Sequence, residues 1–539
     1  MNAARDTTVG SPLVLSHWCS DTSEPVLETT LGGILRAAAE RAPAAAALVE
    51  ALPDAGARRR WTYSQLLEDS ERVARALLGR FQPGERVAVW ANNIPEWVIL
   101  EYACALANVT LVTVNPALRP RELAYVLGQS RAAGVFFISE FRGNPMAASL
   151  ESVRADLPEL REMVPFPGWS QFCASGSPTE RLPAVTPDDI AQIQYTSGTT
   201  GFPKGAMLHH RGITNNARLC MGRRDPATAR VSVNPMPLFH TAGSCLLGAG
   251  LPQFDCCHVL VPYFDPGLVL EVCESEGATA LAGVPTMLIA LMEHPDFRGR
   301  DLSRLVGVVS GGSTVPAELV RRIEATLGVG FTIQFGMTET SPTITQTWPH
   351  DSPEDKAETI GQPLPQAEVK IVDPATREMV APGVAGELWV RGYQVMKGYF
   401  DRPAETADAI VEGWMRTGDL CSMDERGYCR VEGRLKDMII RGGENIYPRE
   451  IEELLFRHPG VAEVAVVGIP DARWGEQVVA FIRPAVGQSP REEDLFAYCR
   501  ESLSPQKTPQ RWVFADGFPM TPSGKIQKFA LRECLLAEA

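Results

Sequence analysis

TYSQLLEDSERVARALLGR (62–80), followed after five residues by RVAVWA (86–91), decides the fold. The apolar residues of the first run recur at helical spacing behind Thr62, a residue type that caps helix N-termini through its hydroxyl, and the second run reads as a short, fully buried strand. The same alternation recurs in PEWVILEYACALA (95–107), VTLVTVNP (109–116), RPRELAYVLGQS (119–130) and AGVFFIS (133–139). It returns as a strand over 306–310 followed by VPAELVRRIEATLG (315–328). Strands alternating with helices predict a parallel, doubly wound sheet, so the first large unit is α/β.

From about Glu368 the rhythm changes. VKIVD, GELWVRG and GYCRVEG are short strands separated by Gly, Pro and Asp, which predicts a small antiparallel sheet over about 368–435. Beyond it, GRLKDMIIRGGENIYPREIEELLFRHPG (433–460) combines a charged turn, a glycine pair and a helix begun after Pro448; VAEVAVVGIPD and EQVVAFIRPA then read as strands. The expected division is an N-terminal domain over 1–435 and a small, mobile α+β C-terminal domain over 436–539.

At 539 residues the chain is too long for one ordinary core, and 45% hydrophobic with 22% charged residues is a globular balance. The formal charge of −14, with no basic stripe interleaved with aromatics, speaks against a nucleic-acid partner. The first 25 residues lack the apolar core of a signal peptide and read as a loose leader. No run of about 18 uncharged apolar residues occurs. The best stretch, 97–114, carries Glu101 and Asn108 and reads as a core helix followed by a strand. The 12 cysteines form no C-x-x-C and no zinc spacing, and adjacent Cys256 and Cys257 read as core residues, so a reducing cytoplasm is expected. Only eight of the 51 basic residues are lysine, at 204, 356, 370, 397, 436, 507, 525 and 528. Against an arginine background a lysine can mark a site that wants a compact ammonium, although a surface position is the commoner reason.

The most informative string is YTSGTTGFPKG (195–205), set between strand-like DIAQIQ and helix-like MLHHRGITNNAR. Glycines let backbone N–H groups approach a phosphate, Ser and Thr hydroxyls add donors, and Lys204 supplies charge. The string is no Walker loop, because Pro203 precedes Lys204 and Gly205 follows it.

This loop resembles the signature of the adenylate-forming superfamily of acyl- and aryl-CoA synthetases, luciferases and nonribosomal adenylation domains. In that family's order the chain also shows PLFHTAG (237–243), SGGSTVP (310–316), QFGMTETSP (334–342), GELWVRG (386–392), WMRTGDL (414–420), GRLKDMIIRGGENIYPREIE (433–452) and PSGKIQK (522–528). Before residue 195 only the helix and strand rhythm matches.

The resemblance implies an enzyme that uses ATP and Mg2+ to convert a carboxylic acid to an acyl adenylate and then passes the acyl group to coenzyme A. It implies nucleotide contacts from Thr196, Ser197, Gly198, Thr199, Thr200 and Lys204 in the loop. Further contacts come from Gly312, Ser313, Gln334, Phe335 and Gly336 around the base, with Phe335 stacked on it. Thr338 is expected on the α-phosphate, Glu339 on the magnesium, and Asp419 with Arg434 on the ribose hydroxyls. Charge neutralisation and in-line positioning are what this chemistry needs, since a carboxylate must attack a highly charged phosphorus. Lys525 matches the catalytic lysine of the first half-reaction and Lys436 the hinge. Arg441, Gly442 and Gly443 match the loop that lines the pantetheine tunnel. His240 resembles the gate between the acyl pocket and that tunnel, and Val284 in GVPT (283–286) with Gly311 should line the pocket. With nothing charged among them, an apolar acid is expected; GMTETSP, RGYQVMKGYF and SGKIQKFALRE most resemble medium- to long-chain acyl-CoA synthetases, which implies such an acid or a bulky aliphatic one.

Rival readings are a ligase that loads a carrier-protein phosphopantetheine, a luciferase-like oxidation, a non-catalytic nucleotide-binding homologue and a phosphotransferase releasing ADP. The short stretch from Gly392 to Trp414 leaves little room for the insertion that fatty acyl-AMP ligases carry. The identity of the acid and the oligomeric state are not legible.

Overall fold

The computed structural model describes residues 12–196, 203–224, 230–313, 315–442, 444–471, 473–521 and 526–537. The expected helix forms as Tyr63–Leu78, and its start is fixed reciprocally: the Gln65 N–H donates to the Thr62 hydroxyl at 3.3 Å while the Thr62 N–H donates to the Gln65 side chain at 2.9 Å. Such a cap stabilises a helix by about 1 kcal/mol. Arg86–Trp90 then enters the middle of a six-stranded sheet, ordered Glu162–Pro165, Gly134–Phe137, Arg86–Trp90, Thr110–Val114, Ile190–Thr196 and Lys204–His209. All neighbours run parallel except the last pair, which is antiparallel.

A nine-stranded sheet lies beside it, with Gly330–Gly336, Gly307–Gly311, Ala280–Ala282, Val231–Asn234, Cys257–Leu260 and Ala46–Glu50 parallel in its interior. Its rims, Thr343–Gln346 with Gln362–Pro363 at one edge and Arg60–Thr62 at the other, are antiparallel. Helices Tyr63–Leu78 and Pro95–Ala107 take part in a core that joins both sheets: Leu77, Trp97 and Leu100 pack with Val87, Val89 and Leu111 of one and Leu48 and Leu260 of the other. Each such side chain contributes about 1.5–3 kcal/mol by leaving water. Pro95–Ala107 is buried on nearly every side, which explains its uniformly apolar sequence and makes Glu101 within it an anomaly.

The third sheet is antiparallel, from Ala367–Val372, Gly386–Gly392, Ile410–Val411, Trp414–Met423 and Cys429–Arg434. A small C-terminal α+β domain follows, in which Ile439–Arg441, Glu444–Ile446, Val461–Asp471, Gly475–Pro484 and Arg511–Phe514 form one sheet with its own apolar cores. The architecture is therefore the expected α/β one, a large N-terminal domain and a small C-terminal domain.

Three expectations need correction. Lys204–His209 is an edge strand paired with Ile190–Thr196, so the Gly/Ser/Thr loop joins antiparallel strands and does not open directly into a helix; the helix starts only at His210. The leader is anchored from Leu13 onward: the Leu13 N–H donates to Glu425 O at 3.0 Å, and His17–Trp18 pairs with Ala367–Val372 as a further strand of the antiparallel sheet. That sheet is consequently not built from residues 368–435 alone. Finally, both large sheets end in antiparallel rims where a purely parallel pattern was expected.

Candidate active site

The C-terminal ends of two parallel strands face the same region. Gly307–Gly311 and Gly330–Gly336 are paired in register, Gly311 opposite Gln334. Gly311 permits that approach, since a Cβ there would lie 2.3 Å from the Gln334 carbonyl oxygen. Gly336 is equally constrained, with a Cβ position 1.9 Å from Pro342 O. The chain past Gly336 folds back as the short turn Thr338–Thr340, leaving Gln334, Phe335, Gly336 and Thr338 half-buried beside exposed Gly312 and Ser313. The Gln334 amide also donates to Cys220 Sγ.

Glu339, in that turn, is buried. The Tyr399 O–H donates to its Oε1 at 2.7 Å, and the Lys204 ammonium stands 4.9 Å from the centre of the Tyr399 ring. Burial pushes the Glu339 carboxyl above its ordinary range, opposed by the Tyr399 hydrogen bond and by the charges of Arg434 and Lys204. The segment 394–400 makes this arrangement by clamping both neighbours. Its Met396 N–H donates to Glu339 O at 2.8 Å, its Phe400 N–H to Gly205 O at 2.8 Å, and its Gln394 carbonyl accepts from the Ser341 hydroxyl at 2.9 Å.

The antiparallel sheet supplies the third contribution. Asp419 and Arg434 sit directly opposite one another on paired strands, and Arg434 Nε donates to Asp419 Oδ1 at 2.7 Å. Asp419 is buried while the guanidinium is half exposed, so one carboxylate edge is held by the sheet. The Asp419 charge raises Arg434 above its ordinary value. Lys436, two residues on, is lowered by burial and by Arg434, and Asp437, Asp419 and Glu339 act on it in the opposite sense. Lys204, Glu339, Asp419, Arg434 and Lys436 thus share one electrostatic environment although they come from three parts of the chain.

His240 is half-buried, its carbonyl accepting from Gly243 N–H at 2.9 Å and its Nδ1 from Ala242 N–H at 3.3 Å. Val284 is buried in an apolar cluster with Met236, Leu247, Met287 and Val309, against which Ala242 packs. Val309 and Gly311 share one strand, so the residues expected around the acyl group lie together. Arg441 and Gly442 are on the C-terminal sheet, where the Arg441 guanidinium donates to Pro505 O at 3.3 Å and Gln506 O at 2.7 Å. Gly442 has φ +61°, which favours glycine. Thr196 lies opposite Lys204 and donates its hydroxyl to the Lys204 carbonyl at 3.4 Å. Ser197, Gly198, Thr199, Thr200, Gly443 and Lys525 lie outside the described residues. Sequence reasoning missed Tyr399, although it stands in RGYQVMKGYF (391–400) with a glycine before it.

The arrangement offers a cation and a buried carboxyl side by side, a second carboxylate held by an arginine, and an apolar cluster nearby. Comparison with known proteins agrees. The AMP-binding enzyme family model matches residues 35–400 and the AMP-binding enzyme C-terminal domain model residues 450–525. YngI of Bacillus subtilis is 41% identical over 94% of this chain and 97% of its own. The mitochondrial medium-chain acyl-CoA ligase ACSF2 of Rattus norvegicus is 37% identical over 96% of this chain and 89% of its own. Among solved structures, ATP-bound MatB from Rhodopseudomonas palustris is similar with a TM-score of 0.85 at 28% identity, covering 94% of this chain and 99% of that one. The anthranilate CoA ligase AuaEII in complex with anthranoyl-AMP gives 0.86 at 27%, covering 96% and 99%. The shared architecture, the ordered motifs and these matches together place the chain in the AMP-binding enzyme family, as an adenylate-forming acyl-CoA synthetase.

Proposed function

We propose that the protein activates an apolar, medium- to long-chain or bulky aliphatic acid with MgATP and delivers it to coenzyme A, in the cytoplasm and in fatty acid metabolism. The observation that carries this reading is the convergence of Lys204, Glu339 and the Asp419–Arg434 pair on one environment. In the first half-reaction a carboxylate oxygen of the acid bonds to the α-phosphorus of ATP while the bond to pyrophosphate breaks. In the second, the thiol sulfur bonds to the acyl carbon, AMP departs with the bonding pair, and the thiol proton goes to solvent.

Within this scheme Asp419, held by Arg434, accepts the ribose hydroxyls, and Phe335 with Gly312, Ser313, Gln334 and Gly336 frames the base. Thr196 to Thr200 and Lys204 hold the phosphates, and Thr338 donates to the α-phosphate. The Glu339 carboxyl, with Thr338 beside it, suits a hard cation that takes few protein oxygens and completes its shell with phosphates and water. When bound, Mg2+ neutralises charge on the phosphates. Lys525 reaches in from the C-terminal domain for adenylation. That domain, 436–539, then turns about Lys436 so that Arg441, Gly442 and Gly443 line the thiol's path. His240 gates the junction with the acyl pocket, which Val284 and Gly311 line. The uncharged surroundings of Val284 and the name of the ACSF2 relative support an apolar acid.

Carboxylate-dependent exchange of labelled pyrophosphate into ATP, across straight-chain, branched, aromatic and polycyclic acids, tests the first half. Adding coenzyme A or a holo carrier protein tests the acceptor. Exchange with apolar acids, AMP as product and thioester only with coenzyme A are expected. ADP as product, no exchange with any acid, or transfer only to the carrier overturns the reading. Lys525→Ala should reduce exchange by about 10²–10³ yet still convert supplied acyl adenylate to thioester, and equal loss of both steps would contradict the domain rotation.

A further inference from the structure

Immediately after His240 the chain forms a seven-residue π-helix, Ala242–Gly248, a form that is rare and concentrated at functional sites. Its two sides meet different surroundings. Leu247 and Ala242 face the apolar cluster that holds Val284 and Val309. Ser244 and Cys245 face a buried polar chain. The Gln194 amide donates to the Ser244 hydroxyl at 3.0 Å and to Gln192 Oε1 at 2.7 Å, and the Gln192 amide donates to Glu101 Oε1 at 2.5 Å. The Ser244 hydroxyl completes the path by donating to the His240 carbonyl at 3.4 Å.

Glu101, Gln192, Gln194 and Ser244 are each at most 3% exposed, and among the described residues no cation joins them. The second carboxyl oxygen of Glu101 has no hydrogen-bond partner and faces Gly248, where a Cβ would lie 3.4 Å away. The adjacent Tyr102 O–H donates to Gly248 O at 2.6 Å, so helix Pro95–Ala107 holds the C-terminal end of the π-helix directly and reaches Ser244 only through the two glutamines. An ionised carboxylate here would be costly, and burial pushes Glu101 up to about 8, which leaves a neutral acid at neutral pH.

We propose that Glu101 is a positioning residue for the carboxylic-acid substrate, holding Gln192, Gln194 and Ser244 so that the π-helix and the His240 carbonyl keep the wall of the acyl pocket in place. This rests on the acyl-CoA synthetase reading above and assigns to that pocket a support on its far side, out of reach of substrate. Glu339, Asp419 and Arg434 of the nucleotide side stand on other elements; Thr196 closes the strand of Gln192 and Gln194, but the polar chain leads to Ser244 and His240, so the effect falls more on the acid than on ATP.

The test measures pyrophosphate exchange with octanoate for wild type, Glu101→Gln, Glu101→Leu and Gln194→Met, with melting curves alongside. Glu101→Gln keeps a neutral group of the same shape and should stay within about threefold of wild type for every parameter, as a conservative rescue. Glu101→Leu and Gln194→Met should raise KM for octanoate about 10–100-fold, the scale of a displaced positioning group, with a much smaller change in KM for ATP. Gln194→Met breaks the chain at a second point should Glu101→Leu fail to fold. Equal changes in both KM values, changes in kcat alone, or no change in either apolar variant overturn the proposal. A wild-type chain that binds ATP but exchanges with neither octanoate nor any other acid overturns the functional reading, and the positioning role with it.

Discussion

Glu339 and Glu101 are both buried carboxyl groups raised by desolvation, and they differ in company. Glu339 has a phenol 2.7 Å from one oxygen and feels the charges of Lys204 and Arg434. Glu101 has an amide at 2.5 Å and no cation in its chain of contacts. The cations near Glu339 favour its charged form against the cost of burial, whereas the amide beside Glu101 offers no comparable charge. The lesson is that burial alone does not mark a reactive acid. The charges converging on it do.

The comparison is broken most severely at Glu339. Glu339→Gln keeps volume and hydrogen bonding but removes the ionisable group, and pyrophosphate exchange should fall about 10²–10³-fold with little change in melting temperature. A loss smaller than that caused by Glu101→Gln would reverse the assignment of the two acids. Tyr399→Phe is a finer probe, since the ring stays under Lys204 while the O–H to Glu339 is lost. Exchange at limiting Mg2+ should drop about tenfold and recover when Mg2+ is raised; a deficit independent of Mg2+ would detach Tyr399 from the metal carboxylate. The last effect is in stability. The folded pKa of Glu101, about 8, lies above its ordinary 4.5, so its contribution is full below 4.5 and is lost as pH rises through 8. Denaturant unfolding of wild type relative to Glu101→Gln should therefore weaken with rising pH across that window, by about 1 kcal/mol per unit. A difference that does not vary with pH would mean that Glu101 is already charged in the folded protein.

The alternation of helix and strand was legible because apolar periodicity reports burial directly, as Thr62 and the Tyr63–Leu78 helix show. The strand Lys204–His209 was not. Its partner lies across a Gly/Ser/Thr loop, and the following helix is capped by a histidine, His209 Nδ1 accepting from Gly212 N–H at 2.9 Å, which lies outside the usual Ser, Thr, Asp and Asn start signals. Scarcity of lysine drew attention to Lys204 and Lys436, which lie beside Tyr399 and near Arg434. Elsewhere it marked ordinary pairings: Lys356 with Glu324, Lys507 with Glu450, Lys528 with Glu452, and Lys370 over Trp389 and Trp414. The motifs named Glu339, Asp419 and Arg434, but Tyr399 and Glu101 became visible only when separate segments came together. In the sequence Glu101 registers merely as a charge interrupting an apolar run.

The pairing of His17 and Trp18 with the antiparallel sheet bears on how the chain is made. His17 Nε2 meets Glu368 Oε1 across 351 positions of sequence. On the ribosome this strand emerges long before its partner and must wait, unpartnered, while the 351 positions between them are translated. The sheet that carries Asp419 and Arg434 is thus sealed late, by a strand made long before its partner.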